Sequence, residues 1–508
     1  MTGLQAIQSL LDLSKDYYYY SLLEMLVIWD IDFTAPQKSS NSRDNLASFL
    51  AHKSEALILS DEAKVLVNID FEKLELPDDI YNYDMKILNA CKRVLSHKTN
   101  GVRKIPLDLQ NRYHSALSDV SSCYAREIKK TGFDYVHIEP KFNRMVESKI
   151  EAISYSKQFD TNYDSLLNTI EEGFSCKEMD AICAEIEMFM DSNRTYKSQV
   201  LCNAETKQGG LPFVNTLCIA EENKDFCDSL MSDLGFDFTR GGTYNDTFPS
   251  STMFSPNDVR VTNDFNKSII KLIKPIMHEC GHALYMQNIP DSLSEHMLCQ
   301  SPSLSMEECI AKIFENHICN SKGFLLFLTR KLRHKFPDFD WDSVDLNSII
   351  TSPNKSMIRT ESDLLSFNSH ILIRYEIERD IINLSLSTKD AAIEWNKRYE
   401  TWFGSAPKLD QEGILQDPHW FYGQFGYFPM YILASVYSAQ IFNCIQRDVA
   451  SLEHDISVGN FSYLLAWLRE NIFQYGSIYT SKDLIRRISG EDLSLKYYFD
   501  FLRKSCLE

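Results

Sequence analysis

The residues best placed to do chemistry in this chain are His278-Glu279-Cys280-Gly281-His282. On a helix, histidines four positions apart fall one turn apart on the same face, so both imidazoles can reach one divalent ion. Glu279 lies beside them, where its carboxylate can take a proton from water held by such an ion. A hydrolytic centre of this kind takes a third protein ligand. The run 306–316, from Met306-Glu307-Glu308 to Phe314-Glu315-Asn316, reads as a helix from the spacing of Ile310, Ile313, Phe314 and His317. It offers two adjacent glutamates, which project about 100° apart on a helix. Only one of them can face the ion, and spacing alone does not choose between Glu307 and Glu308.

Other motifs follow in order: Trp29-Asp30, Asp258-Val259-Arg260-Val261-Thr262, Ile358-Arg359-Thr360-Glu361-Ser362-Asp363, Gly413-Ile414-Leu415-Gln416-Asp417-Pro418-His419-Trp420, and 423–431 from Gly423 to Tyr431. Together with the two metal motifs they resemble the M32 metallocarboxypeptidases, the thermostable carboxypeptidases of the Taq type, over nearly the whole chain. The resemblance implies that His278, His282 and Glu308 are the metal ligands and that Glu279 is the general base. It also implies one divalent ion, with Zn2+ expected and Co2+ tolerated. The chain departs from the family at Glu307, where a histidine is usual, at Cys309-Ile310 in place of Ser-Gln, and at Phe248-Pro249-Ser250 in place of His-Pro-Phe.

A carboxypeptidase must also recognise a free carboxylate, and the planar guanidinium fork suits that task. Arg359, in the matching motif, is the candidate; the alternative is a surface pairing with Glu361 or Asp363. His419 and Tyr431, with Tyr427 as a neighbour, are candidates to stabilise an oxyanion. Their alternative is an aromatic core cluster with Trp420, Phe421, Phe425 and Phe428. Asp258 and Arg260 alternate along a strand and so share a face, as structural support.

Stepping outward, the chain has 508 residues, 44% of them hydrophobic, enough for a large core. A net charge of −19 without a basic stripe argues against nucleic acid as partner. Thirteen scattered cysteines, an odd number, point to reduced thiols and a cytoplasmic location. Residues 1–15 lack the pattern of a signal peptide, and no membrane partner is expected. Helical periodicity marks 44–59, 83–95, 110–131 and 141–159, and the polar stretch 193–212 reads as a loose connection. Alternation around Val259 and Val261 predicts short strands within 236–265, and helices are expected to dominate after Pro275. The resemblance adds a mostly α, two-lobed body with a deep active-site groove, a small antiparallel β-sheet beside the metal helix, and a homodimer. The motifs from Asp258 to Tyr431 suggest a single peptidase unit over 1–508, with an N-terminal helical region at 1–195 and a metal- and substrate-binding region at 266–508.

The functional expectation is a carboxypeptidase that releases single residues from peptide C-termini with broad specificity. The alternatives are a metallo-endopeptidase or oligopeptidase on the same scaffold, which needs no carboxylate clamp, and a catalytically silent peptide-binding homologue.

Overall fold

A computed structural model describes residues 2–74, 84–102, 105–156, 159–193, 219–341, 345–351 and 356–507. Most of the expected loose connection at 193–212 lies outside the described residues. The chain divides into two compact units, each made of three segments. The first comprises Met1–Arg103, Phe213–Phe327 and Cys444–Gly490; the second comprises Lys104–Pro212, Leu328–Asn443 and Glu491–Glu508. Both the N-terminal helical region and the C-terminal half thus contribute to both units.

The first unit is built around the helix Ile269–Gln287, in which 15 of 19 residues are buried. Ile269, Ile270, Leu272 and Ile273 enter the core along with the residues after Pro275, so the helix starts before the proline, in its polar-looking approach. Pro275 costs the helix one backbone donor, and burial of apolar side chains on both sides of it, each stabilising by about 1.5–3 kcal/mol, holds the helix together. The same unit contains the long helix Gly3–Phe33, opened by a Thr2–Gln5 capping box, and the helix Ser40–Ile58.

A three-stranded sheet lies in the first unit: β1 Gly241–Asn245, β2 Ser250–Ser255 and β3 Asp258–Asn263. Their order is β1-β3-β2. Pro256 and Asn257 alone separate β2 from β3, and so short a link enforces antiparallel pairing; β1 instead pairs parallel with β3. The expected antiparallel sheet is therefore mixed, because the chain passes through β2 before β3 can occupy the centre. Val259 and Val261 are fully buried. Asp258 and Arg260 meet in a paired salt bridge of 3.0 and 2.8 Å, with the guanidinium over the ring of Phe254, as structural support requires.

The second unit is helical among its described residues, with the helices Leu107–Glu127, Tyr135–Ser156, Leu364–Ile382 and Ala391–Phe403. The expected helical segments occur with shifted ends: Ser40–Ile58, Met85–Val102, Leu107–Glu127 and Tyr135–Ser156. Among the described residues one helix, Tyr427–Asp448, is long and apolar enough to cross a membrane, but 89% of its apolar window is buried within the protein.

Candidate active site

Within the first unit, His278, His282 and Glu308 present ligand atoms that all lie within 4.8 Å of one another. The two imidazole Nε2 atoms are 3.2 Å apart, and Glu308 Oε2 lies 3.5 Å from His278 Nε2 and 3.9 Å from His282 Nε2. A tetrahedral ion with bonds of about 2.05 Å separates its ligands by roughly 3.3 Å. The triangle matches that spacing, and two imidazoles with one carboxylate form a donor set that a divalent ion fits. Glu308 is the glutamate of the adjacent pair whose oxygen reaches both Nε2 atoms. Glu307 instead accepts from Ser301 Oγ at 2.9 Å and lies 4.0 Å from His282 Nδ1.

Gly281 decides how closely the two elements can meet. A Cβ at this position would sit 2.8 Å from Ala311 Cα and 3.0 Å from the carbonyl oxygen of Ile310. Only a glycine permits this backbone approach, and the approach brings Glu308 to the histidines. Glu308 sits on the helix Leu304–Lys312, capped by Ser303, which continues as a π-helix over Ile313–Ile318. Wide turns of this type concentrate at functional sites.

In that wide turn, Glu315 accepts from His278 Nδ1 at 2.9 Å and from Lys312 Nζ at 2.8 Å. The first bond places the proton of His278 on Nδ1 and leaves the Nε2 lone pair directed toward the ligand triangle. Burial pushes the Glu315 carboxyl up, yet Lys312 and His278 outweigh it and hold the group well below the usual carboxylate range. For His278, burial lowers the pKa, but Glu315, with Glu308 and Glu279, outweighs it and the net shift is upward. Burial dominates at His282 and pulls it down to about 4, so its neutral, ligating form prevails at neutral pH.

Glu279 is almost completely buried, and burial raises its pKa to about 7. That is the range in which a general base is most effective near neutrality. Its Oε2 accepts a 2.7 Å bond from Ser251 Oγ on β2, and its backbone carbonyl lies 3.1 Å from the same hydroxyl. Cys280 is fully buried, and burial raises its thiol well above the ordinary range, which suits a packing role.

The second unit gathers the other candidates. Arg359 opens a short 3-10 turn, and its Nε and Nη2 donate to Asp417 Oδ1 at 3.0 and 2.8 Å. Arg374 Nε donates to Asp417 Oδ2 at 2.6 Å. The 358–363 and 413–420 motifs are thus bound to each other, and Gln416 Oε1 accepts from the Arg359 backbone N–H at 2.8 Å. The surface pairing considered for Arg359 is not its arrangement: Glu361 accepts from Ser356, and Asp363 caps the helix Leu364–Ile382. Burial raises the Asp417 carboxyl, but the two guanidiniums hold it far below the usual range.

The Arg359 guanidinium lies 5.2 Å from the Tyr431 ring centroid. Tyr431 Oη is 3.5 Å from His419 Nε2, and the ring of Tyr427 is 5.1 Å from that of His419 and 5.3 Å from that of Tyr431. Candidate cluster and aromatic core turn out to be continuous, since His419 also packs on Phe428 at 4.6 Å. Buried Glu378, one helical turn after Arg374, fixes this region. It accepts from Tyr163 Oη at 2.8 Å, from Trp420 Nε1 at 2.6 Å and from the Gly426 backbone N–H. Gly426 has φ +83, a conformation open chiefly to glycine.

Each sequence-derived candidate therefore falls in one of two clusters: His278, Glu279, His282 and Glu308 in the first unit, and Arg359, His419, Tyr427 and Tyr431 in the second. Sequence reasoning passed over Ser251 and Glu378, and it used Glu315 and Asp417 only as motif letters. An isolated serine in a strand carries no signal. A glutamate seven residues after the candidate ligand Glu308 does, because seven residues make nearly two full turns and return to the same helix face.

Comparison with known proteins extends the local agreement to the whole chain. The family model for Carboxypeptidase Taq (M32) metallopeptidases matches residues 9–506. The chain is 30% identical over 498 residues to Carboxypeptidase 1 of Bacillus subtilis, covering 97% of this chain and 96% of that one. It is 27% identical over 492 residues to Thermostable carboxypeptidase 1 of Pyrococcus furiosus, covering 94% of each. The solved structure of Pyrococcus furiosus carboxypeptidase, Apo-Mg, has a TM-score of 0.87 at 25% identity and covers 98% of both chains. A match that begins at residue 9 and ends at residue 506 takes in both clusters and the scaffold that carries them, and on that ground the chain belongs to the M32 family and is a metal-dependent carboxypeptidase.

Proposed function

We propose that the enzyme releases single residues from the free C-termini of peptides, with broad tolerance of the residue removed, and that its ion is zinc, with cobalt able to substitute. The observation that carries the exopeptidase reading is Asp417, one carboxylate shared by Arg359 and Arg374. Asp417 holds the Arg359 guanidinium through Nε and Nη2, and a planar fork fixed in this way suits recognition of a substrate carboxylate.

His278, His282 and Glu308 hold the ion, whose bound form supplies Lewis acidity and makes water easier to deprotonate. Glu279 takes the proton from the attacking water on Oε1, since Oε2 is engaged by Ser251, and returns it to the leaving amine nitrogen. Arg359 pairs with the terminal carboxylate. His419 and Tyr431 supply donors to the oxyanion, and Tyr427 packs beside them. Among the described residues eleven cysteines stand outside any disulfide, ten of them buried, which supports a reducing, cytoplasmic setting, and the resemblance supports a homodimer.

The test is a mass-spectrometric time course on one peptide as its free acid and as its C-terminal amide, with added zinc or cobalt and a chelator control. A ladder of single-residue losses from the free acid alone, abolished by chelator, is the expected result. Internal cuts in both forms would overturn the exopeptidase assignment.

A further inference from the structure

We infer that Ser251, on β2, is a positioning residue that sets which carboxylate oxygen of Glu279 acts as base. The inference rests on the reading of Glu279 as general base and extends it to a residue from a different element.

Ser251 pairs with Val261 in the sheet, and Met253 pairs with Val259. Residues paired across strands project to the same face, so Ser251 occupies a position on the face of fully buried Val259 and Val261. A serine there breaks the apolar pattern, and its hydroxyl compensates by donating to Glu279. A glutamate's terminal torsion is broad and nearly two-fold, so neither the helix nor the rotamer of Glu279 decides which oxygen is presented. The 2.7 Å bond to Oε2 and the 3.1 Å approach to the backbone carbonyl of the same residue fix the hydroxyl against both the carboxylate and the main chain of Glu279. With Oε2 engaged, Oε1 is left to exchange protons. The carboxylate is buried, so water is poorly placed to replace the serine if its hydroxyl is removed.

The experiment is a double-mutant cycle on the metal-loaded enzyme, with Ser251→Ala, Glu279→Gln and the double variant, plus Ser251→Thr as the conservative replacement. Ser251→Ala should lower kcat about tenfold, the effect of roughly one hydrogen bond, with KM unchanged. Ser251→Thr should recover most of the loss. In the Glu279→Gln background the alanine should change the residual rate less than about twofold, because coupled residues are non-additive. Zinc affinity, titrated into the metal-free protein, should stay at the wild-type value, and the unfolding temperature should fall by no more than a few degrees, the cost of one buried oxygen left without its donor; if Ser251→Ala unfolds, Ser251→Cys carries the same comparison. Equal losses in both backgrounds, or a kcat within twofold of wild type, would overturn the proposal. Near-full activity of Glu279→Gln by itself would instead overturn the general-base reading, so the two failures are distinguishable.

Discussion

The two clusters are built on opposite electrostatic plans. Around His278 and His282 stand the carboxyl groups of Glu279, Glu307, Glu308 and Glu315, the last paired with Lys312. In the second unit two guanidiniums, Arg359 and Arg374, share one carboxylate, Asp417. Buried charge is expensive without a partner, and on the proposed function the first cluster meets a divalent cation and the second the carboxylate of the substrate. Both clusters also spend a carboxylate on orientation, Glu315 on an imidazole and Asp417 on a guanidinium. The difference lies in the charge of the ligand each meets on that reading.

The sharpest way to break this comparison is to remove the base while keeping the negative cluster nearly intact. Glu279→Gln should lower kcat about a thousandfold with bound metal unchanged, measured by steady-state kinetics and elemental analysis. On the positive side, Arg359→Ala should lower kcat/KM for free-acid peptides by roughly a hundredfold, the scale of a lost charge-assisted pair. Residual cleavage of amidated peptides should stay the same, and Arg359→Lys should recover only part of the loss because it lacks the fork. A smaller effect is expected for Glu315→Gln, which should weaken zinc binding by about 10- to 100-fold, read by competition with a chromogenic chelator. The same substitution should leave the KM of any metal-saturated enzyme near wild type.

The mildest prediction concerns Glu378 and has a definite sign with pH. Burial raises this carboxyl to about 7, so its protonated form is favoured by the folded state. Its contribution is fully present below the unfolded value of 4.5 and is lost as pH rises through about 7. Glu378→Gln cannot ionise and presents its amide to one of three converging donors. Its unfolding temperature should therefore lie below wild type by a few degrees at pH 5, a cost of about 1–3 kcal/mol. The gap should narrow toward pH 8.5, as followed by thermal melts across that range. A constant or widening gap would remove the titration from the account.

How much of this was legible beforehand depends on whether the interaction lies within one element. Histidine spacing on the helix Ile269–Gln287 follows from helical geometry, so the pair was readable directly. The family resemblance singled out Glu308 from the Glu307-Glu308 pair. Strand alternation likewise anticipated the Asp258–Arg260 pair, because both belong to β3. The helix runs through Pro275 from Ile269, because burial of the residues on either side outweighs the local preference against proline.

By itself the sequence carried the candidate ligand types, the adjacent candidate base and the helical character, which rest on spacing within short stretches of chain, and the order of its motifs carried the family resemblance that picked out Glu308. Tertiary structure alone decided that β1 runs parallel to β3, that Asp417 sits between two arginines, and that Gly281 lets a second helix come close enough for Glu308 to reach the histidines. It also placed the Ser251 hydroxyl on Glu279. These contacts join residues tens of positions apart, and their geometry is set by how buried surfaces pack against one another, which no local repeat records.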